Sequence, residues 1–124
     1  MKLITREIAD KIPRLYAQDG KGDEATVFVK FFTPDSNWTW FATEADLVLI
    51  DEDGNEVRKP LAEYEPEGVI GTNWDVEFFG LVDGFEEELG YFVLSELVKA
   101  RGPLGLPIER DRGFGPKTIK ECRR

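Results

Sequence analysis

The sequence predicts an α+β fold in one domain, 1–124: a mainly antiparallel β-sheet of four to six strands, an N-terminal helix, one short C-terminal helix and an extended C-terminal arm. Three observations carry this reading. Ile4, Ile8 and Ile12 recur at a helical spacing, runs of β-branched and aromatic residues alternate with turn residues through the middle, and four glycines and three prolines crowd residues 102–116. With 124 residues, 41% hydrophobic and 33% charged, the chain has the size and composition of one globular domain.

The elements follow in order. Thr5 is the expected N-cap of a helix over Arg6–Lys11, which Pro13 ends. A polar loop, Gln18 to Asp23, leads into a strand over Ala25–Phe32 whose faces are both apolar apart from Lys30, as suits the middle of a sheet. Thr33 to Asn37 has turn chemistry and joins it to a strand over Trp38–Thr43, with Trp38, Trp40 and Ala42 on one face and Thr39, Phe41 and Thr43 on the other. Leu47–Ile50 and Glu56–Arg58 read as a second hairpin around Asp53-Gly54. Glu63 to Gly71 reads as loop, and 45–77 as an acidic hairpin or loop excursion from the body. Val76–Val82 and Tyr91–Leu94 are the next strands, and Ser95 is the expected cap of a helix over Glu96–Arg101, with Gly102 in the C′ position. Beyond it the arm should tuck in Leu104, Leu106 and Ile108, and the basic tail 117–124 should fray.

Charge is partitioned unevenly. Residues 1–43 are balanced, residues 44–96 set Arg58 and Lys59 against sixteen acids, and residues 97–124 carry a net +5, giving a total of −9. That total opposes direct binding to nucleic acid by bulk charge. The chain contains no histidine, so histidine triads and histidine-rich zinc sites are excluded. Cys122 is its one cysteine, which rules out an intrachain disulfide and fits a reducing cytoplasm. The charged opening, Met1 to Glu7, and the lack of any apolar run near the roughly 20 residues of a spanning helix predict neither a leader nor a membrane span.

Motif tests are mostly negative. Asp51 to Asn55 resembles the start of a calcium loop, but the sixth position, which needs glycine, is Glu56 and the twelfth, which needs a bidentate acid, is Ala62. Gly113 to Thr118 echoes a phosphate loop, yet Pro116 stands where an N–H must face the phosphate. Asp83 with Glu86, Glu87 and Glu88 is an acid cluster for which a solvated turn is the plainer role, so no catalytic residue, metal or cofactor is assigned. Trp38 and Trp40 can stack on a partner or simply pack the core. Arg101, Arg110 and Arg112 can read phosphates or pair with acids of the same chain; the acidic middle favours the latter.

Several strings lie in order along nearly the whole chain: Lys2 to Thr5, Val29 to Trp40, Phe78 to Phe85, Glu88 to Phe92 and Arg101 to Asp111. Together they resemble an uncharacterised family of small bacterial domains carried on plasmids, integrative elements and phages. The resemblance implies a setting among anti-restriction and transfer genes and brings no catalytic or binding residues with it.

The functional expectation is a non-catalytic accessory protein of a mobile element that binds a protein partner through an acidic surface and so inhibits a host defence or nucleic-acid-processing enzyme. The acids expected to form it are Glu63, Glu65, Glu67, Asp83, Glu86, Glu87 and Glu88. The alternative is a carboxylate or metal-dependent enzyme, or a nucleic-acid module, built on the aromatic strand and the arginines of the arm.

Overall fold

The computed structural model describes residues 2–65 and 73–123. Its elements are α1 (Arg6–Lys11), β1 (Thr26–Val27), β2 (Val29–Phe32), β3 (Thr39–Ile50), β4 (Glu56–Pro60), β5 (Trp74–Asp83), β6 (Glu87–Val93), α2 (Leu94–Lys99), β7 (Glu109–Arg110), β8 (Lys117–Thr118) and α3 (Ile119–Cys122). The main sheet runs β6-β5-β3-β2-β7, with β4 also on β3, and its pairings are antiparallel. The α+β class and the N-terminal helix are as expected. No helix among the described residues is long and apolar enough to cross a membrane.

The first helix forms as its sequence dictates. Thr5 is extended and its hydroxyl accepts the Ile8 N–H at 3.2 Å, while Ile4 before the cap and Ala9 within the helix are buried in one cluster, the pattern of a hydrophobic staple.

Strand β3 organises everything else. One edge carries β5 from Thr39 to Leu49. The other carries β2 along 39–42 and β4 along 46–50. The gap between those two pairings is filled by the segment after α1: the Ala45 N–H donates to the Pro13 carbonyl at 2.9 Å. The two strands expected at 38–43 and 47–50 are therefore one. The acids between them look like a break in sequence, but Glu44 and Asp46 are buried, 4% and 5% exposed, and bond to the incoming segment. Glu44 accepts the Tyr16 and Gln18 N–H groups at 2.8 and 3.0 Å, and Asp46 accepts the Leu15 N–H at 3.2 Å and the Arg14 guanidinium at 2.7 Å. Residues 45–50 thus belong to the central strand, not to an excursion, and 56–60 and 74–77 to the strands beside it.

Both faces of the sheet are covered. On one, Phe31, Phe78 and Phe92 pack with Ile4, Leu61, Leu94 and Leu97 beneath α1, α2 and the turn at 61–63. On the other, Phe41 and Leu81 pack with Val27 and Ile119. This second core corrects the expectation of a frayed tail, because β8 pairs with β1 and α3 seats Ile119 at 1% exposure. A capping box holds α3: the Thr118 hydroxyl accepts the Glu121 N–H at 3.2 Å, and the Glu121 carboxylate accepts the Thr118 N–H at 3.0 Å.

Other expectations need correction. Strand β6 starts at Glu87, so Glu87 and Glu88 are strand residues and not a turn. The chain passes straight from β6 into α2, with Val93 at the N-cap. Ser95 lies inside that helix, donating its N–H and hydroxyl to the Asp75 carboxylate at 3.0 and 2.5 Å, so the cap comes from another strand. In the arm only Ile108 is tucked in, at 4% exposure; Leu104 and Leu106 face solvent at 79% and 43%. The loop expected from Glu63 to Gly71 begins with a helical turn at Leu61–Glu63, and its remainder from 66 lies outside the described residues.

Candidate interaction surface

Three connections meet at the end of the sheet where β2 and β5 finish. The first is the turn between β2 and β3. The Thr33 N–H donates to the Trp38 carbonyl and the Trp38 N–H to the Thr33 hydroxyl, both at 3.0 Å, which fixes Trp38 at the mouth of the turn. The second is the tight link from β5 to β6, closed by the Gly84 N–H donating to the Glu86 carbonyl at 3.2 Å. The third is the loop 101–107, pinched at its base by a bridge between Arg101 and Pro107.

Named contacts join these pairwise. Trp38 stacks on Trp40 at 6.0 Å between centroids and meets Phe85 edge-on at 5.4 Å. Gly84 lies so close beneath the Trp38 ring that a Cβ there would come within 2.4 Å of it. Asp35 reaches from the first turn into the third loop, where its Oδ2 accepts the Leu104 N–H at 2.8 Å. Its Oδ1 is buried against Gly102 with no hydrogen bond among the described residues, and a Cβ at Gly102 would sit 1.6 Å from it.

The aromatic series runs outward. Trp40 is half-buried and packs on the core, Trp38 is half-buried, and Phe85 is 94% exposed. A phenylalanine so exposed beside a second aromatic is the unusual feature of this end.

The register sorts the acids around it. On one face the cross-strand row is Phe31, Trp40, Val82, Glu88; on the other it is Phe32, Thr39, Asp83, Glu87. Glu86 lies in the connection and, like Glu88, is exposed. Asp83 is nearly buried at 9% exposure. Glu87 accepts from the Arg123 guanidinium at 3.2 Å, which also grips Asp23 at 3.1 Å. The charge exposed beside Phe85 therefore comes chiefly from Glu86 and Glu88.

The other acids are elsewhere. Glu63 pairs with Lys59 at 3.5 Å in the turn after β4, a turn clasped by Arg6 through the Ala62 and Tyr64 carbonyls. Glu65 is exposed just beyond it, and Glu67 lies outside the described residues. Pro60 is opposite Asp46 and Asp83 opposite Thr39, seven positions apart on β3, so the two groups are separated by about 23 Å of strand. They do not form one surface. Several remaining acids of the middle segment work inside the fold, Glu56, Glu77 and Asp46 all bonding Arg58.

Two of the three arginines singled out in the sequence hold backbone. Arg101 donates to the Val98 and Ala100 carbonyls at 2.9 and 2.8 Å, closing the end of α2, and Arg110 donates to the Lys2 carbonyl. Arg112 is exposed beside the ion pair of Lys30 with Asp111, 3.7 Å long. Among the described residues, no group of three or more histidine, cysteine, aspartate or glutamate side chains is set to hold a metal ion.

Phe85 and Asp35 are the members of this surface that the sequence reading passed over. A large apolar residue between Gly84 and a run of acids is a visible signal for the first. Asp35 has none, since its partner loop is about seventy residues away in sequence.

Residues 68–120, which take in β5, β6, α2 and most of the arm, match the model of a family described as a protein of unknown function (DUF2958). The resemblance to an uncharacterised domain family holds over that stretch. No curated protein and no solved structure matches the chain.

Proposed function

We propose that this chain is a non-catalytic binding protein whose β5–β6 end docks a basic protein partner. The observation that carries the reading is Phe85, 94% exposed, braced by Trp38 and flanked by Glu86 and Glu88. An aromatic braced by a neighbouring ring has less side-chain freedom to lose on binding than a free one, so it makes an effective anchor, and the two carboxylates beside it steer a basic surface towards it. A basic cleft built to hold DNA has the matching chemistry. In the mobile-element setting that the sequence resemblance implies, such a partner is a host defence or nucleic-acid-processing enzyme.

The test is site-directed photo-crosslinking from position 85, with position 52 in the β3–β4 turn as the control, at low and high salt. The reading expects a partner captured from 85 and not from 52, with the yield falling as salt rises. Equal capture from both positions contradicts it.

A further inference from the structure

A separate cavity of about 440 Å³ opens on the opposite flank of the sheet, between β6 and the segment that follows α1. Phe79 lies in its wall, and Tyr16, Leu89 and Tyr91 stand around its mouth, the two phenols close enough for each to act on the other's ionisation. Phe79 meets Tyr91 edge-on at 5.0 Å, so aromatic surface lines one wall continuously. The volume falls within the range of small-molecule sites.

Two features select the occupant. The first is charge. Glu44 and Asp19 both line the cavity, and no lysine or arginine does. Glu44 is buried, and the bonds its oxygens accept come from the Tyr16 and Gln18 backbone N–H groups, so they leave its charge uncancelled. Nearby cations are engaged elsewhere: Arg14 with Asp46, and Arg123 with Asp23 and Glu87. Lys21 lies between the lining glycines Gly20 and Gly22 but is not itself part of the wall. The second feature is the aromatic wall, whose ring faces attract cations and flat groups alike. Tyr16 is moreover held at φ +72°, unique for a non-glycine among the described residues, by the grip of Glu44 on its N–H. The rim is thus set in a conformation that the local chain would not choose.

We infer that this cavity is a binding site for a small planar organic cation, its flat body against the Tyr91 ring and its charge towards Glu44. The site is independent of the Phe85 surface.

Benzamidinium, benzamide and benzoate have one shape and charges of opposite sign or none, so titrating each into the intact protein while following its amide NMR signals isolates the two features. Benzamidinium is expected to shift Tyr16, Gly20, Leu89 and Tyr91 saturably. Benzamide should bind about tenfold more weakly and benzoate not at all. Leu89→Lys, at a position 45% exposed, places a cation at the mouth and should abolish the shifts with the spectrum still dispersed. Tyr91→Ala should weaken binding about tenfold. An absence of saturable shifts with benzamidinium at millimolar concentration overturns the assignment, as does an equal response to benzoate.

Discussion

Trp38 and Phe85 meet edge-on at 5.4 Å, and Gly84 is the spacer that lets them do so. A Cβ at position 84 would lie 2.4 Å from the Trp38 ring, so Gly84→Ala must turn the indole aside and break its stack on Trp40. The expected outcome is a changed near-ultraviolet circular dichroism spectrum, with global stability altered by no more than about 1 kcal/mol because the ring is only half-buried. An unchanged aromatic spectrum would show that the contact does not set the geometry of this end.

Gly80 tells a different story. It faces the bulge where β3 shifts register between Ala42 and Glu44, and a Cβ there would meet the Phe41 carbonyl oxygen at 1.8 Å. The obstacle is backbone of the central strand and cannot swing away. Gly80→Ala is expected to cost about 3 kcal/mol in urea unfolding, whereas Gly90→Ala, with open space around it, should cost far less.

Acid should weaken the fold through Asp46. Burial works to raise its pKa, but bonds from Arg14, the Leu15 N–H and Arg58 outweigh that, and its carboxyl is held below the ordinary aspartate range. A depressed folded-state value means the stabilisation is complete above about pH 4 and is lost as pH falls through the folded value. The stability advantage of wild type over Asp46→Asn should therefore shrink as pH falls below about 4. Glu7, bonded by Lys11, and Glu121, bonded by the Thr118 N–H, are lowered in the same direction and should leave a residual slope in the variant. Parallel pH profiles for the two proteins would contradict the role given to Asp46.

The tyrosine rim offers a spectroscopic check. Interaction with the Tyr16 phenol, helped by desolvation and by the charges of Glu77 and Glu44, pushes the Tyr91 phenol up to about 12. Phenolate absorbance should show one tyrosine ionising later than an ordinary phenol. Tyr16→Phe should bring that transition back towards 10. A Tyr91 titration unaffected by that substitution would remove that interaction from the picture.

Local signals made part of the fold legible in the sequence. The Thr5 cap, the aromatic hairpin and the turn at Asp53-Gly54 are each written within a few residues, and each forms. Gly54 adopts φ +82°, as that turn requires. What sequence reasoning missed is tertiary. Glu44 and Asp46 look like a break in β3 because the N–H groups that satisfy them belong to residues 15, 16 and 18. Ser95 resembles a cap, but Asp75 on the neighbouring strand takes its N–H. The tail was different, since Thr118 and Glu121 spell a capping box that its basic composition obscured. At the candidate surface Trp38 and Glu86 to Glu88 were legible as interesting types. Their separation from Glu63 and Glu65 follows only from the register of β3 with its neighbours.

The central claim is that Phe85 anchors a basic partner, and direct capture tests it best. With a photo-crosslinker at Glu86, wild type should trap one partner, and Phe85→Ser in the same background should lose it while keeping the unfolding midpoint, because the side chain it removes is 94% exposed. Undiminished capture by the Phe85→Ser protein would contradict the account.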